Sequence, residues 1–189
     1  MKKSLLLISL IGTMSIAFAQ SVKYGIKAGV NFSNLSASFS GSSGGGSASS
    51  DNTTGFNVGA VADIGLGDFS IQPALLFTTK GASGTTLGYI EVPVNVLYNV
   101  KTPAGKLFFG AGPYLGYGVT GSNGTTYGSG PNDIGNPDYG ISFLGGHRFS
   151  SGIAISAGYD LGLANLNNYQ SSSLSLNTRS ISVSVGYFF

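Results

Sequence analysis

The chain has 189 residues, of which only 8% are charged and 31 are glycine, and it contains no cysteine. Ordinary soluble domains have ~25% charged residues, so this composition is unlike that of a water-soluble globular protein. Without cysteine, disulfides and cysteine nucleophiles are excluded. The formal net charge of +2 equals the charge of Lys2 and Lys3, so the rest of the chain is neutral and has no electrostatic reason to bind nucleic acid.

The N-terminus has the pattern of a cleaved export signal. Two lysines precede an apolar run from Ser4 to Ile16, and Ala17-Phe18-Ala19 matches the small-x-small pattern of signal-peptidase sites. The run is shorter than the ~20 apolar residues that a membrane-spanning helix needs, and no later stretch approaches that length. We therefore expect residues 1–19 to be a signal peptide and residues 20–189 to form one exported domain.

The exported part contains segments that alternate apolar with small or polar residues at a period of two, which is typical of β-strands. In chain order they lie at residues 22–33, 56–64, 69–77, 89–98, 107–118, 138–143, 153–163 and 180–189. Most are near the ~9–11 residues that a tilted strand needs to cross a bilayer. The pattern predicts an all-β fold, an eight-stranded antiparallel up-and-down transmembrane β-barrel.

Short and long connections alternate between the predicted strands. The short ones lie at residues 65–68, 100–105 and 150–152, and the long polar ones at 35–54, 80–86, 120–137 and 164–177. Bacterial outer-membrane barrels have short periplasmic turns and longer extracellular loops. We therefore expect an outer-membrane location, with both termini in the periplasm and the long loops outside the cell.

The apolar rows are predicted to face lipid and the polar rows to face the lumen. Each apolar row carries several large side chains, more than the interior of an eight-stranded barrel can hold. A charge facing lipid at mid-membrane costs ~2–4 kcal/mol. In agreement, the polar rows hold most of the charged strand residues, namely Lys23, Lys27, Asp63, Lys80, Glu91, Lys106, Asp138, Arg148 and Asp160.

Three charged residues, Lys27, Glu91 and Asp160, are predicted to form a structural charge cluster near mid-height in the lumen. Isolated buried charges are too costly to leave unpaired, and eight strands leave no aqueous channel. We therefore expect a plugged lumen in which Lys27 pairs with Glu91 or Asp160. The alternative is a path for protons or ions.

The sequence predicts no catalytic, cofactor-binding or metal-binding residues. The sole histidine, His147, is expected near the periplasmic end of its strand and on the lipid-facing row, which does not suit a histidine-dependent hydrolase. One histidine without cysteine cannot form a zinc cluster. Asp51, Asp133 and Asp138 lie in or beside outer loops, where we expect solvated carboxylates rather than a calcium site.

Three prolines, Pro73, Pro93 and Pro113, lie within neighbouring predicted strands. Proline cannot donate a ladder hydrogen bond, and a closed barrel has no edge strand to accommodate it. We expect a bulge at each proline and therefore one irregular patch of wall.

Several motifs resemble those of the PorT-like outer-membrane β-barrel family. They are Gly25-Ile26-Lys27-Ala28-Gly29-Val30-Asn31-Phe32-Ser33, Gln72-Pro73-Ala74-Leu75-Leu76 with Lys80-Gly81, Tyr89-Ile90-Glu91-Val92-Pro93, Gly110-Ala111-Gly112-Pro113-Tyr114, Asp138-Tyr139-Gly140-Ile141 and Gly186-Tyr187-Phe188-Phe189. The resemblance implies an outer-membrane barrel, and one branch of that family assists protein secretion. The chain departs at Ala74, where the family usually has glutamate, so one lumen carboxylate is missing.

These observations predict a monomeric, non-enzymatic barrel with a structural or surface-interaction role through its outer loops. Its expected partners are outer-membrane lipids, lipopolysaccharide and a surface or secretion-machinery protein, with no cofactor. Arg179, at the outer end of the last strand, suits contact with anionic headgroups, although snorkelling of its charge to the membrane surface explains this position by itself. The alternatives are an accessory role in protein secretion across the outer membrane and, third, a small-solute channel.

Overall fold

In a computed structural model of the chain, the described residues are 22–41, 44–49, 52–82, 85–122, 127, 134–165 and 174–189. The predicted signal peptide and the loop residues Asp51 and Asp133 lie outside these ranges. The described strands are β1 (Val22–Gly41), β2 (Gly44–Ser49), β3 (Thr53–Leu66), β4 (Phe69–Ala82), β5 (Thr85–Thr102), β6 (Gly105–Gly121), β7 (Asp138–Phe149), β8 (Ile153–Gly162) and β9 (Leu174–Phe188). Among the described residues, no helix has the length and apolar character needed to cross a membrane.

The strands form one closed antiparallel barrel. From β3 to β9 each strand pairs with the next, β3 also pairs with β1, and β1 pairs with β9 to complete the ring. The short strand β2 pairs with residues 36–41 of β1. It lies on the same edge of β1 as β3, which pairs with residues 22–33. The barrel wall therefore has eight positions, which confirms the predicted fold, and β2 extends the wall at one end.

The two ends of the barrel differ. At the end that we call the turn end, β3–β4, β5–β6 and β7–β8 are joined by tight turns that contain Gly67, Gly105 and Gly152, each with positive φ. Glycine adopts this backbone conformation without steric penalty, which explains these short connections. The long connections leave from the opposite end, which we call the loop end.

The side chains alternate between the outside and the interior, as they must along a strand. On the outside, Ile26 is 62% exposed and Tyr117 is 61% exposed, whereas the interior residues Asn31 and Leu97 are 2% and 1% exposed. The large apolar side chains that the sequence assigned to one row lie on the outer surface. The predicted apolar outside is confirmed. The interior is not only small and polar as predicted, because it also holds large apolar side chains such as Leu97, Phe108 and Phe188.

The strands are longer at the loop end than the apolar alternation predicts. β4 continues to Ala82 and β5 begins at Thr85, so Lys80 lies inside a strand rather than in the predicted 80–86 loop. β1 continues to Gly41 and pairs there with β2. This extension of β1 and the whole of β2 lie within the predicted 35–54 loop. Backbone pairing continues beyond the apolar residues because hydrogen bonding does not depend on side-chain hydrophobicity.

The bulges predicted at the three prolines are wrong. On β4 and β5, Pro73 pairs with Val94 and the ladder resumes at Leu76 and Glu91 with unchanged register. The β6–β7 register also runs without a shift through Pro113. On β5 and β6 the register shift lies between Gly88 and Tyr89 instead. The missing proline N–H interrupts the ladder locally, without inserting an extra residue into the wall.

Candidate functional site

A buried cluster of charges lies in the interior towards the loop end. The Lys80 ammonium nitrogen is 2.5 Å from a carboxylate oxygen of Glu91, 3.8 Å from one of Asp160 and 3.9 Å from one of Asp138. Lys80 and Glu91 are only 2% and 3% exposed. We call Lys80, Glu91, Asp138 and Asp160 the loop-end cluster. Its ion pairs are stronger than surface pairs because the surroundings exclude water.

Hydroxyl and aromatic groups complete this cluster. The Tyr114 hydroxyl donates to the Asp138 carboxylate at 3.4 Å, and the Thr178 hydroxyl donates to it at 2.9 Å. The Lys80 ammonium lies 4.5 Å from the centre of the Tyr114 ring, in a cation–π contact. These groups stabilise buried charges that would otherwise lose their hydration without replacement.

The backbone explains why Lys80 reaches Glu91. Both face the interior, and Glu91 stands directly opposite Leu76, four residues before Lys80 on the same face of β4. The long lysine side chain extends back along the lumen to the carboxylate. The sequence placed Lys80 on a polar row but near a loop, so this pairing was missed. The signal that could have revealed its interior position is the alternation along β4: Lys80 has an even number, like the interior residues Gln72 and Thr78.

The three predicted cluster residues, Lys27, Glu91 and Asp160, line one interior cavity of about 30 Å³. Among the described residues, however, Lys27 makes no ion pair within 4.0 Å. The expected direct pair of Lys27 with Glu91 or Asp160 is therefore wrong. Glu91 pairs with Lys80 instead. The cavity is large enough for a water molecule to bridge Lys27 and the carboxylates. The structural role of this trio stays a prediction.

An apolar layer lies between this cavity and the turn end. Val61, Ala154 and Phe188 are buried together, with Ala74 packed against them. Ala74 is the position at which PorT-like sequences usually have glutamate, and here its neighbours are apolar. The cavity that Val61, Ala154 and Phe188 line is also lined by Lys27 and Gln72, so this layer has polar neighbours as well.

A second group of charges, the turn-end cluster, consists of Asp63, Lys106 and Arg148. The same Asp63 carboxylate oxygen accepts hydrogen bonds from Lys106, at 2.9 Å, and from Arg148. The Arg148 guanidinium also lies 4.4 Å above the Phe188 ring. The sequence assigned these residues to lumen-facing rows, but the cluster itself depends on the register of strands far apart in the chain.

Comparison with known proteins identifies the family. Residues 18–179 match the family model described as the outer membrane protein beta-barrel domain. The chain belongs to this family. The outer-membrane barrel therefore resides in the bacterial outer membrane, in agreement with its apolar outer surface and its closed backbone ladder.

The solved structure of one bacterial surface protein shows the same architecture. Neisserial surface protein A (NspA) is 15% identical to the outer-membrane barrel, with a TM-score of 0.53 over 90% of this chain and 100% of that one. Ail, the attachment invasion locus protein of Yersinia pestis, was solved in complex with the heparin analogue sucrose octasulfate. It is 14% identical, with a TM-score of 0.46 over 89% of this chain and 99% of that one. At this identity the likeness to NspA concerns the fold alone. No curated protein sequence matches the chain.

At the loop end, the connection between β6 and β7 contacts the mouth of the outer-membrane barrel. The Tyr127 hydroxyl donates to the backbone oxygens of Thr120, at 3.2 Å, and Gly88, at 3.4 Å, and its ring packs edge-on against Tyr89. The side chain of Asn136 both donates to and accepts from the backbone of Gly118, at 3.2 and 3.0 Å. Burial raises the pKa of the Tyr127 hydroxyl to about 12. These contacts fix part of the connection over the interior.

His147 lies where the sequence predicted, on the outer row of β7 near the turn end. Its Nε2 is 3.0 Å from the Thr102 hydroxyl, and its ring packs against Phe149 at a centroid distance of 4.6 Å. Within the described part of the chain, no group of three or more metal-binding side chains is positioned to hold an ion. The surroundings of His147 are those of a residue that packs at the barrel surface.

Proposed function

We propose that this protein is a monomeric, non-enzymatic outer-membrane barrel whose lumen is closed and whose loop end is an interaction surface. The observation that carries the proposal is the filled interior. Lys80, Leu87, Tyr89 and Leu97 are each at most 2% exposed. A barrel that cannot pass solutes must act through its surfaces.

The sizes of the internal spaces support a plugged lumen. The cavity beside Lys27 and Glu91 measures about 30 Å³, and a second one beside Gln72 and Phe108 about 20 Å³. Spaces of this size hold one or two water molecules. A sugar would have to displace the loop-end cluster or the apolar layer, and either step would expose buried charges or open packed side chains.

Liposome swelling tests the plug directly. Purified protein is reconstituted into liposomes, and the influx of a small sugar is compared with that in protein-free liposomes and in liposomes that contain an open porin. We expect swelling at the protein-free rate. Sugar influx that increases with the amount of folded barrel would refute the closed lumen and favour the small-solute channel.

The loop end supports a surface-interaction role in two ways. The β1–β2 pairing carries the wall beyond the eight-stranded ring, and the Tyr127 and Asn136 contacts hold the β6–β7 connection against the mouth. We infer that this end lies outside the cell, with both termini in the periplasm, and that it meets lipopolysaccharide and molecules at the cell surface. Arg179, exposed on β9, is suited to pair with anionic headgroups.

Cysteine labelling in intact cells tests this orientation, because the chain has no native cysteine. Asn165→Cys lies beyond β8 at the loop end, and Ser151→Cys lies in the β7–β8 turn; both positions are exposed. A membrane-impermeant maleimide should label Asn165→Cys in intact cells and Ser151→Cys only after the outer membrane is permeabilised. The reverse pattern would show that the barrel is inserted the other way round.

The competing proposal is an accessory role in protein secretion, as in one branch of the PorT-like family. It rests on the Tyr89-Ile90-Glu91-Val92-Pro93 motif and its companions, and Glu91 is a member of the loop-end cluster. Deleting the gene and comparing secreted proteins with those of the parent strain separates the two roles. Our proposal predicts an unchanged set of secreted proteins, whereas selective loss of exported proteins would favour the PorT-like assignment.

A further inference from the structure

Three cations stand side by side on neighbouring strands at the turn end. Lys101 of β5 is directly opposite Lys106 of β6, and Lys106 is directly opposite Arg148 of β7. Directly opposed residues lie on the same face of the wall, so all three side chains project from the interior face. All three line a single cavity. The register therefore creates a row of like charges within one barrel mouth.

Such a row opposes folding unless something offsets it. Like charges in directly opposed positions are destabilising, and Cβ atoms in such positions are only ~5 Å apart. Asp63 offsets two of them, because one of its oxygens binds both Lys106 and Arg148. Among the described residues, Lys101 has no ion-pair partner within 4.0 Å.

A fourth cation, Lys23, adds to the imbalance. It stands opposite Asp63 across β1 and β3, but among the described residues both ion pairs of Asp63 use the same oxygen, which Lys106 and Arg148 share. Lys23 likewise has no ion-pair partner within 4.0 Å in the described part of the chain. Among the described residues that line the cavity, the second carboxylate is that of Asp68, in the β3–β4 turn.

The four cations surround a cleft. The cavity measures about 120 Å³ and is lined by Lys23, Lys101, Lys106 and Arg148, against the two acids Asp63 and Asp68. A cleft that is lined mainly by charges of one sign and has low-dielectric walls concentrates the electric field and attracts counter-ions. Its volume equals that of about four water molecules, which suits a small tetrahedral anion.

We propose that this turn-end cleft is a binding site for a phosphate group. The unpaired cations Lys23 and Lys101 match the charge of a phosphate dianion, and Arg148 adds a planar donor at the floor of the cleft. The phosphate belongs either to a phospholipid headgroup at the membrane surface or to a soluble phosphate compound. The site is independent of the loop-end surface and of the closed lumen.

Nuclear magnetic resonance of the full mature barrel tests the site. The protein is placed in a phosphate-free maltoside detergent and titrated with inorganic phosphate while the backbone amide shifts of Gly65 and Gly67, which line the cleft, are followed. In the second arm, nanodiscs of phosphatidylglycerol are compared with nanodiscs of phosphate-free glycolipid. Saturable shifts with inorganic phosphate identify a soluble ligand, and shifts confined to phosphatidylglycerol identify a headgroup.

The Lys23→Gln/Lys101→Gln double variant should weaken binding at least about tenfold, because it removes two charge-assisted hydrogen bonds. Both side chains are exposed and unpaired, so the barrel should fold, as its mobility on unboiled gels will verify. The matched control is Arg179→Gln, which removes a charge at the opposite end and should leave the phosphate-induced shifts of Gly65 and Gly67 at the cleft unchanged. The proposal fails if inorganic phosphate gives no saturable shifts and the two kinds of nanodisc give the same shifts. It also fails if sodium chloride at equal ionic strength reproduces the phosphate-induced shifts, or if the double variant binds with parental affinity.

Discussion

Lys80 is the cation shared by the ion pairs of the loop-end cluster, and its side chain is only 2% exposed. Lys80→Met would leave the buried Glu91 and Asp138, and the partly buried Asp160, without their shared cation. Breaking a buried pair from one side costs ~3–5 kcal/mol, and we expect a loss of this size in the free energy of unfolding. Urea unfolding of the refolded barrel in detergent measures it.

Lys27→Met is the matched control for Lys80→Met. It makes the same chemical change at the cavity that Glu91 lines, but it removes no direct ion pair. We therefore expect a smaller loss of stability than with Lys80→Met. An equal loss would mean that Lys27, as first predicted from the sequence, carries as much of the pairing.

The last two residues offer a second comparison at single-residue scale. Phe188 faces the interior, packs with Val61 and Ala154, and is 8% exposed, whereas Phe189 is 72% exposed on the outside. Phe188→Ala should lower the free energy of unfolding by ~3–5 kcal/mol because it leaves a cavity. Phe189→Ala should cost much less in the same urea experiment. Equal losses would contradict the inward position of Phe188.

For single residues, the sequence predicts the side of the wall on which a side chain lies better than it predicts the residue with which that side chain pairs. The period of two assigned Lys27, Lys80, Glu91 and Asp160 to interior rows, because facing depends only on position along a strand. The Lys80–Glu91 pair depends in addition on strand register and on the reach of a flexible side chain. Neither is visible in the alternation, so Lys27 was chosen as the partner.

At the scale of elements, the β6–β7 connection is held to the wall by a contact that requires glycine. A Cβ at Gly118 would overlap the Tyr127 ring, whereas at Gly116 it would meet only ordinary contacts at 3.6 Å or more. We predict that Gly118→Ala displaces Tyr127 from Tyr89 while Gly116→Ala does not. Nuclear Overhauser contacts between the two tyrosine rings, measured in both variants, give the answer. Persistence of these contacts in Gly118→Ala would contradict the packing.

The ends of the elements show why their lengths were underestimated. β2 has the sequence Gly44-Gly45-Gly46-Ser47-Ala48-Ser49, which carries no apolar alternation and was assigned to a loop. Its pairing with β1 is a backbone effect, and apolar periodicity reports only on the part of a strand that faces lipid. The membrane-facing lengths were therefore predictable, and the extensions beyond the membrane were not.

For the whole molecule, closure predicts resistance to detergent. The last amide, that of Phe189, donates to the Tyr24 carbonyl at 2.9 Å, so pairing between the chain ends reaches the turn end. A ladder without free edges should survive sodium dodecyl sulfate until it is heated. Unboiled and boiled samples should therefore migrate differently on gels. Identical migration would count against a closed barrel in solution.

The pairing of β1 with β9 also governs when the molecule can be completed. Its register extends from Gly25 with Phe188 to Phe39 with Leu174, so β1 cannot complete its pairing until β9 has been synthesised. Until then, two unpaired edges would have to be kept out of hydrocarbon, where exposed backbone groups cost several kcal/mol each. Closure of the ring is consequently a late event, which follows the pairing of β9 with β1.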